Sequence, residues 1–587
     1  MILSTIELKG FRNYKKAKIN LTQKSLVIGA NDVGKTNLLW AVRLLLDRGL
    51  SDYDIEPQDS DFYAHKTTNE FEIILHFTNV IEDCVVSRMK GKISDEDEMC
   101  LMYKGYRDET TKAKTFKLFA GKTITELEEI EDRYYRKVLN IKYISSKRDL
   151  HNYIKREKNH LFQIAKEERT EEETESDNKL YSEIQNDLKV VDEKIPELKF
   201  ISSATNTINK ELSKLSLHHK KQKVVFDAST SNVDSFINNV SIAAKSNDEN
   251  VLIGGDGRLN QIYLALWASR NGITEESLTE VTIFCIEEPE AHLHPHQQRK
   301  LAEYLNLSLN GQVILTSHSP QITTEFSPNS IIRLFNTKDS TIAASNGCSK
   351  IIEDAFIDFG YRKSIISAEA FFSDVVFLIE GPSEDLFYKT LSQQIDIDLD
   401  RLNISILMVD GIGFKTYINI LNSLEIDWVL RTDNDIFKIP KKEEYRFAGI
   451  QRCVNYYKEF FVSDEETDKL LLEHESNLQW STPKPEKVNI ESAEIITKDL
   501  ENYGMYLSFK DLENDFFNSS LNSEITDFFK GIDETEIVKG MQKRKATFMF
   551  NFLKNNTKSL SQLKDDAIAK PLLDCKSKIE FIQNETN

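Results

Sequence analysis

The chain has 587 residues, enough for about three or four domains with full hydrophobic cores. Hydrophobic residues make up 40% and charged residues 29%, an ordinary balance for a globular protein. Lys and Arg number 75 against 95 Asp and Glu, a net charge of −20. That balance excludes a histone-like or generally basic nucleic-acid binder and leaves room for one local basic face.

The opening residues, MILSTIELKGFRNYKKAKINL, alternate apolar and polar side chains and predict a strand, where a signal peptide would carry a continuous apolar core. No run of about 18 apolar residues occurs, so no membrane helix is expected. The six cysteines (Cys84, Cys100, Cys285, Cys348, Cys453, Cys575) are scattered without a C-x-x-C pair. This argues against a zinc ribbon or a disulfide framework and predicts a cytoplasmic protein.

In chain order, strands are expected from Ile2, at Leu26-Val27-Ile28 and at Glu70–Thr78. From 151 to 226 the chain turns polar and nearly glycine-free, with Leu161, Ile164, Leu180, Ile184 and Leu188 at rough helical spacing. This predicts a helical insert suited to self-association. Its acidic stretch Glu167–Asp177 is expected to be a solvated loop between helices. Strand-like runs return at Val281–Ile286, Val313–Thr316 and Ile331–Phe335, then at Val375–Ile379, Ile404–Val409 and Ile426–Leu430. Short apolar runs separated by helical segments predict buried parallel sheets, so the fold class is α/β. The expected divisions are 1–150 and 227–350 for one α/β domain, 151–226 for the insert, and 351–587 for a second α/β domain.

Gly29-Ala-Asn31-Asp-Val-Gly34-Lys35-Thr36 has the G-x-x-x-x-G-K-[ST] spacing of a phosphate-binding loop. Glycines let backbone N–H groups close on phosphate oxygens, Lys35 supplies charge, and Thr36 offers a hydroxyl to Mg²⁺. The run Val281–Ile286 leads into Glu287-Glu288-Pro289-Glu290. Glu287 is expected to hold Mg²⁺ and Glu288 to polarise an attacking water. A third strand ends in Ser317-His318-Ser319-Pro320, placing His318 where it can touch a γ-phosphate.

Three acidic groups come later. Glu380 and Glu384 flank Gly381-Pro382-Ser383 at a strand end, and Pro382 suits the first position of a helix. Asp433 and Asp435 stand at i, i+2 after another strand, and Asp511, Glu513 and Asp515 follow. Carboxylates crowded together repel unless cations intervene. Mg²⁺ or Mn²⁺, which prefer oxygen ligands, resolve the conflict and can clamp a phosphodiester.

These motifs carry a resemblance. Phe11-Arg12-Asn13, the GANDVGKT loop, EEPE and TSHSP are similar to the ABC-type ATPase head of the SMC and RecF kind. The family's serine- and glycine-rich signature loop corresponds to Gly254-Gly255-Asp256-Gly257-Arg258, which departs from that pattern. LIEGPSE, TDND and DLENDF resemble the Toprim domain of topoisomerases, primases and some nucleases. ATPase and Toprim in this order resemble the OLD (overcoming lysogenization defect) nuclease family.

The resemblance implies a DNA endonuclease acting against phage, with ATP bound at Asn31, Gly34, Lys35, Thr36, Glu287, Glu288 and His318. It implies Mg²⁺ or Mn²⁺ at Glu380, Glu384, Asp433, Asp435, Asp511 and Glu513, and a catalytic set of Glu380, Asp433, Asp511 and Lys545, with Lys543 the second choice of lysine. Double-stranded DNA, a homo-oligomer (a dimer or a tetramer of dimers) and a UvrD-like helicase are the implied partners. A second reading is a DNA-repair type ATPase whose Toprim half only binds. A topoisomerase or primase is disfavoured by the ATPase fusion and the missing cysteine cluster.

Overall fold

The alternation Ile2, Ile6, Leu8 and the run EFEIILHFT set up the first layer of the fold, because every second residue turns inward. In the computed structural model these segments pair antiparallel in a six-stranded sheet. Its order is Tyr14–Asn20, Ile2–Phe11, Glu70–Thr78, Met99–Arg107, Lys114–Gly121, Glu128–Ile130. The structure describes all residues except 65–66, 147–149, 216–223, 226–232, 241, 247–248, 253–254, 273–278, 310, 349–364, 410–412, 531–532 and 587.

Two compact units emerge, one of residues 1–145, 276–290 and 295–587, the other of residues 146–275 and 291–294. In the first, a second six-stranded sheet runs Thr341–Ala343, Ile331–Asn336, Lys24–Ile28, Gln312–Thr316, Val281–Glu287, Leu139–Ile144. It is parallel except at the Thr341–Ala343 edge. The helix Lys35–Leu46 buries Leu38, Leu39, Val42 and Leu45 in one core with Leu3, Ile6 and Leu8 of the first sheet and Val27 and Ile314 of the second.

A four-stranded, fully parallel sheet follows in the order Ile404–Met408, Val375–Ile379, Asp427–Thr432, Met505–Leu507. Aromatic residues from the C-terminal helices close its core, with Phe516 5.2 Å from both Phe387 and Phe552, ring centre to ring centre. Buried Arg333, on a strand beside Lys24–Ile28, ties this sheet to the head. It donates to the carbonyls of Leu424 (3.2 Å), Glu425 (2.9 Å) and Ser373 (3.2 Å).

The second unit contains the helices Leu150–Glu167, Glu171–Lys194, Lys199–Leu215 and Asp256–Gly272. The loop expected over Glu167–Asp177 is confined to residues 168–170, between the helices Leu150–Glu167 and Glu171–Lys194. Thr170 caps the helix Glu171–Lys194, accepting from the Glu173 N–H while Glu173 Oε2 accepts from the Thr170 N–H. Glu171, Glu172 and Glu173 therefore fill a first helical turn, where they complement the helix dipole. Only Leu188 of that helix is buried among its described residues, whereas Leu180 and Ile184 lie 54% and 38% exposed.

All six cysteines are free thiols, and no described helix is long and apolar enough to cross a membrane.

Candidate nucleotide and metal sites

Parallel register brings the ends of three head strands level, pairing Glu287 with Thr316 and Thr316 with Val27. Their carboxyl ends therefore share one edge, where open α/β sheets bind ligands. The Gly29–Thr36 loop turns there into the helix Lys35–Leu46, capped by Gly34 at φ +105°. Any side chain at Gly34 would place its Cβ 2.2 Å from Asn13 Nδ2.

Asn13 and its neighbours brace the loop from behind. Asn13 Nδ2 donates to Val33 O (2.9 Å), Asn37 Nδ2 to Asn13 Oδ1 (2.7 Å), Arg12 Nη1 to Asn37 Oδ1 (2.8 Å), and Tyr14 OH to Gly34 O (2.9 Å). Lys35 is buried and donates to the carbonyls of Gly29 (2.9 Å) and Ala30 (2.8 Å). Burial lowers its pKa to about 8 against the opposing pull of Glu288, Glu290 and Asp32. Asn31 and Thr36 are exposed on the open side of the loop.

Glu287 is buried at its strand end, and Glu288 adopts a left-handed φ of +41°. Glu288 Oε1 lies 3.2 Å from His318 Nε2, and burial, with Lys35 nearby, lowers the His318 pKa. Glu290, given no role by the sequence reading, accepts from Ser317 Oγ (2.7 Å) and the His318 N–H (2.8 Å) and so sets the histidine loop. Gly254 of the departing signature loop lies outside the described residues, and Asp256 opens a helix.

The second site stands on the other parallel sheet, where Leu378 pairs with Leu430 and Thr432 with Leu507. Glu380, Asp433 and Ser508 thus leave neighbouring strand ends. Asp433 is the hub. Its N–H donates to Glu380 Oε1 (3.1 Å), and its Oδ1 accepts from Ser508 Oγ and the Leu512 N–H (each 3.2 Å). Its Oδ2 lies 3.5 Å from Lys545 Nζ, which also reaches Glu513 Oε2 at 2.9 Å.

Asp511 caps the helix Leu512–Phe517. Its Oδ1 accepts from the Asn514 N–H (2.9 Å) and side chain (2.6 Å), and its Oδ2 from Gln542 Nε2 (2.5 Å). Burial would raise its pKa, but these donors and Lys545 carry it below the ordinary value. Asp435 is exposed, and its pKa is raised by burial of part of the carboxylate and by Glu380 and Asp511.

Glu384 stands behind the cluster. Pro382 opens the helix Pro382–Gln394 as the sequence predicts, and Glu384 Oε2 accepts from the Glu380 (2.6 Å) and Gly381 (3.1 Å) amides. Its Oε1 accepts from Arg431 Nη1 at 3.0 Å. Arg431 was missed by sequence reasoning, although a cation inside the apolar run Trp428–Thr432 was a visible signal of buried acids nearby. Arg452 was missed too. It donates to Thr432 Oγ1 (2.7 Å) and Glu380 Oε1 (3.2 Å), while the Thr432 hydroxyl donates to the same Glu380 oxygen. Lys545 reaches into the acids, and Lys543 is exposed.

Among the described residues, no three Asp, Glu, His or Cys side chains stand together in ligating geometry, and Arg452 and Lys545 pair with Glu380 and Asp433 instead. The donor set nevertheless fits a hard divalent cation. It is all oxygen, and Glu513, 1% exposed, meets Lys545 Nζ at 2.9 Å through Oε2 while its buried Oε1 has no hydrogen-bond donor among the described residues.

Asp433 yields a pH prediction. Burial, reinforced by Glu384 and Glu380 and opposed by Arg431, raises its pKa from 3.8 to about 7. The folded protein then holds a proton that the unfolded chain releases near its ordinary value. The stability this contributes is full below about pH 4 and is lost as pH rises through about 7. In a chelator, urea midpoints should fall across that window and fall less in Asp433→Asn; parallel profiles would contradict the assignment.

A protein-family model described as an AAA ATPase domain matches residues 1–323, and one described as the TOPRIM domain of overcoming lysogenization defect protein-like chains matches residues 371–435. The chain is 27% identical over 579 residues to Endonuclease GajA of Bacillus cereus strain VD045, covering 94% of this chain and 95% of that one. It is 26% identical over 189 residues to Endonuclease GajA of Bacillus cereus strain HuB5-5, 27% of each chain. Among solved structures, the C-terminal region of the Xanthomonas campestris pv. campestris OLD protein covers 37% of this chain and 100% of its own, at 20% identity and a TM-score of 0.23.

Proposed function

From the premise that this chain belongs to the AAA ATPase domain family over residues 1–323 and carries an OLD-like TOPRIM domain behind it, we propose that it is a metal-dependent DNA endonuclease regulated by ATP and acting in anti-phage defence. Its likeness to Endonuclease GajA along nearly the whole chain supports the cleaving activity. One observation carries the reading, which is that Asp433 joins Glu380, the Asp511–Glu513 segment and Lys545 in one contact network.

Mg²⁺ or Mn²⁺, held by Glu380, Asp433, Asp435, Asp511 and Glu513, would neutralise the phosphate and acidify a water. Glu384 joins this set as the residue that fixes the Glu380 amide. Glu380 takes a proton from the attacking water, whose oxygen bonds to phosphorus. The bond from phosphorus to the departing sugar oxygen breaks, and that oxygen takes a proton from solvent. Lys545 faces the charge that builds on the phosphate.

In the head, Asn31, Gly34, Lys35 and Thr36 would cradle ATP, Glu287 would hold its Mg²⁺, and Glu288 with His318 would act at its terminal phosphate. The exposed apolar residues Leu180 and Ile184 suit a homo-oligomer through the 151–226 insert. The domain divisions 1–150, 151–226, 227–350 and 351–587, a cytoplasmic setting and a UvrD-like helicase partner complete the proposal.

Supercoiled plasmid incubated with Mg²⁺ or Mn²⁺, with and without ATP, tests it. Wild type should give nicked or linear DNA and Glu380→Ala background only. No cleavage by wild type in any metal or nucleotide condition would leave the Toprim half a binding module.

A further inference from the structure

The helix Ala448–Phe460 is fastened to the acidic loop. The Ala448 N–H donates to Asp435 O (2.9 Å) and the Ile450 N–H to Asn434 Oδ1 (3.3 Å). Gly449 permits the approach, since a Cβ there would sit 2.3 Å from Asp433 O. One turn along, this fixed platform presents Arg452, whose side chain is 38% exposed. Only Nη1 of its guanidinium bonds to protein among the described residues, to Glu380 Oε1 and Thr432 Oγ1. Nε and Nη2 remain as donors, and the Phe414 ring centre lies 5.9 Å away.

Glu380 Oε1 does not need the guanidinium to stay in place, because the Thr432 hydroxyl and the Asp433 N–H also donate to it. A divalent ion on that oxygen and a guanidinium beside it repel, so the two cations exclude one another. A guanidinium released there has the planar fork of donors that fits a phosphate.

We propose that Arg452 is a substrate-contacting residue with two positions, paired with Glu380 in the metal-free protein and moved onto a phosphate of bound DNA when a divalent ion takes Glu380. The second half rests on the nuclease reading above; the first half requires only metal binding. Lys545, against Asp433 and Glu513, is its counterpart on the other side of the cluster.

Mn²⁺ binding by electron paramagnetic resonance, without DNA, and DNA binding by fluorescence anisotropy in Ca²⁺ test it on the full chain. Arg452→Gln removes the competitor, so Mn²⁺ should bind about twofold to fivefold tighter. In Ca²⁺ the same variant should bind DNA about tenfold more weakly. Arg452→Lys keeps the charge, so it should bind Mn²⁺ as wild type does and recover part of the DNA affinity; it also serves should the glutamine variant fail to fold. Unchanged or weaker Mn²⁺ binding in Arg452→Gln, or unchanged DNA affinity, overturns the proposal and leaves Arg452 a prop for Glu380. Wild type that binds Mn²⁺ without cutting plasmid overturns the nuclease reading alone; wild type that binds no Mn²⁺ overturns both.

Discussion

Replacing Arg431 with methionine is expected to remove about 3–5 kcal/mol of stability at neutral pH, the largest effect of any single substitution in the Toprim half. The side chain is 3% exposed and splits its guanidinium between Glu384 (3.0 Å) and Asp515 (2.7 Å). Methionine fills much of the volume but leaves buried Glu384 and half-buried Asp515 without a cation. Burial already raises both of their pKa values, with Arg431 pulling them down. Without it they rise further and stay protonated, so the variant loses most stability at high pH and least in acid. Adding Glu384→Gln and Asp515→Asn removes the orphaned charges and should restore a large part of the loss. Urea unfolding at pH 5 and pH 8 measures this. A loss under about 1 kcal/mol at pH 8 would place Arg431 among surface-like pairs.

Lys545→Ala is expected to lower single-turnover cleavage by about a hundredfold to a thousandfold, with DNA affinity falling far less. Its ammonium stands 2.9 Å from Glu513 and 3.5 Å from Asp433, inside the acidic cluster. The acids raise its pKa against the effect of burial, so it stays charged wherever the site works. Alanine also leaves Glu513 buried without a cation, so the thermal midpoint of this variant should depend more on Mg²⁺ than that of wild type. Lys543→Ala, at an exposed position, should change the rate by about twofold at most. Equal losses in the two variants would mean a general basic surface rather than a placed charge.

Strands with continuous apolar runs are legible in the sequence, whereas contacts made across the fold are not. VTIFCI and VVFLI are strands because a continuous apolar run can be satisfied only by burial on both faces, and both strands appear as expected. Spacing alone does not give the whole role of Glu384. Read as sharing a crevice with Glu380, it also accepts from the amides at the start of its own helix, an interaction local enough to compete with any ligand. The acidic stretch after Glu167 looked like loop because charge density masked the Thr170–Glu173 capping pair. Arg452 carries no local signal at all. It lies mid-helix in AGIQRCVNYYKEF, and only the fastening of that helix to Asn434 and Asp435 brings it to Glu380.

Acids from three distant segments are proposed to serve one divalent ion. Anomalous diffraction from Mn²⁺-soaked crystals of the full chain tests this proposal most directly. A peak is expected at about 2.0–2.5 Å from oxygens of Glu380, Asp433 and the Asp511–Glu513 segment, with Arg452 displaced from Glu380. Mn²⁺ found only on separate surfaces, such as the acidic turn at Glu171–Glu173, with Arg452 still seated on Glu380, would contradict it.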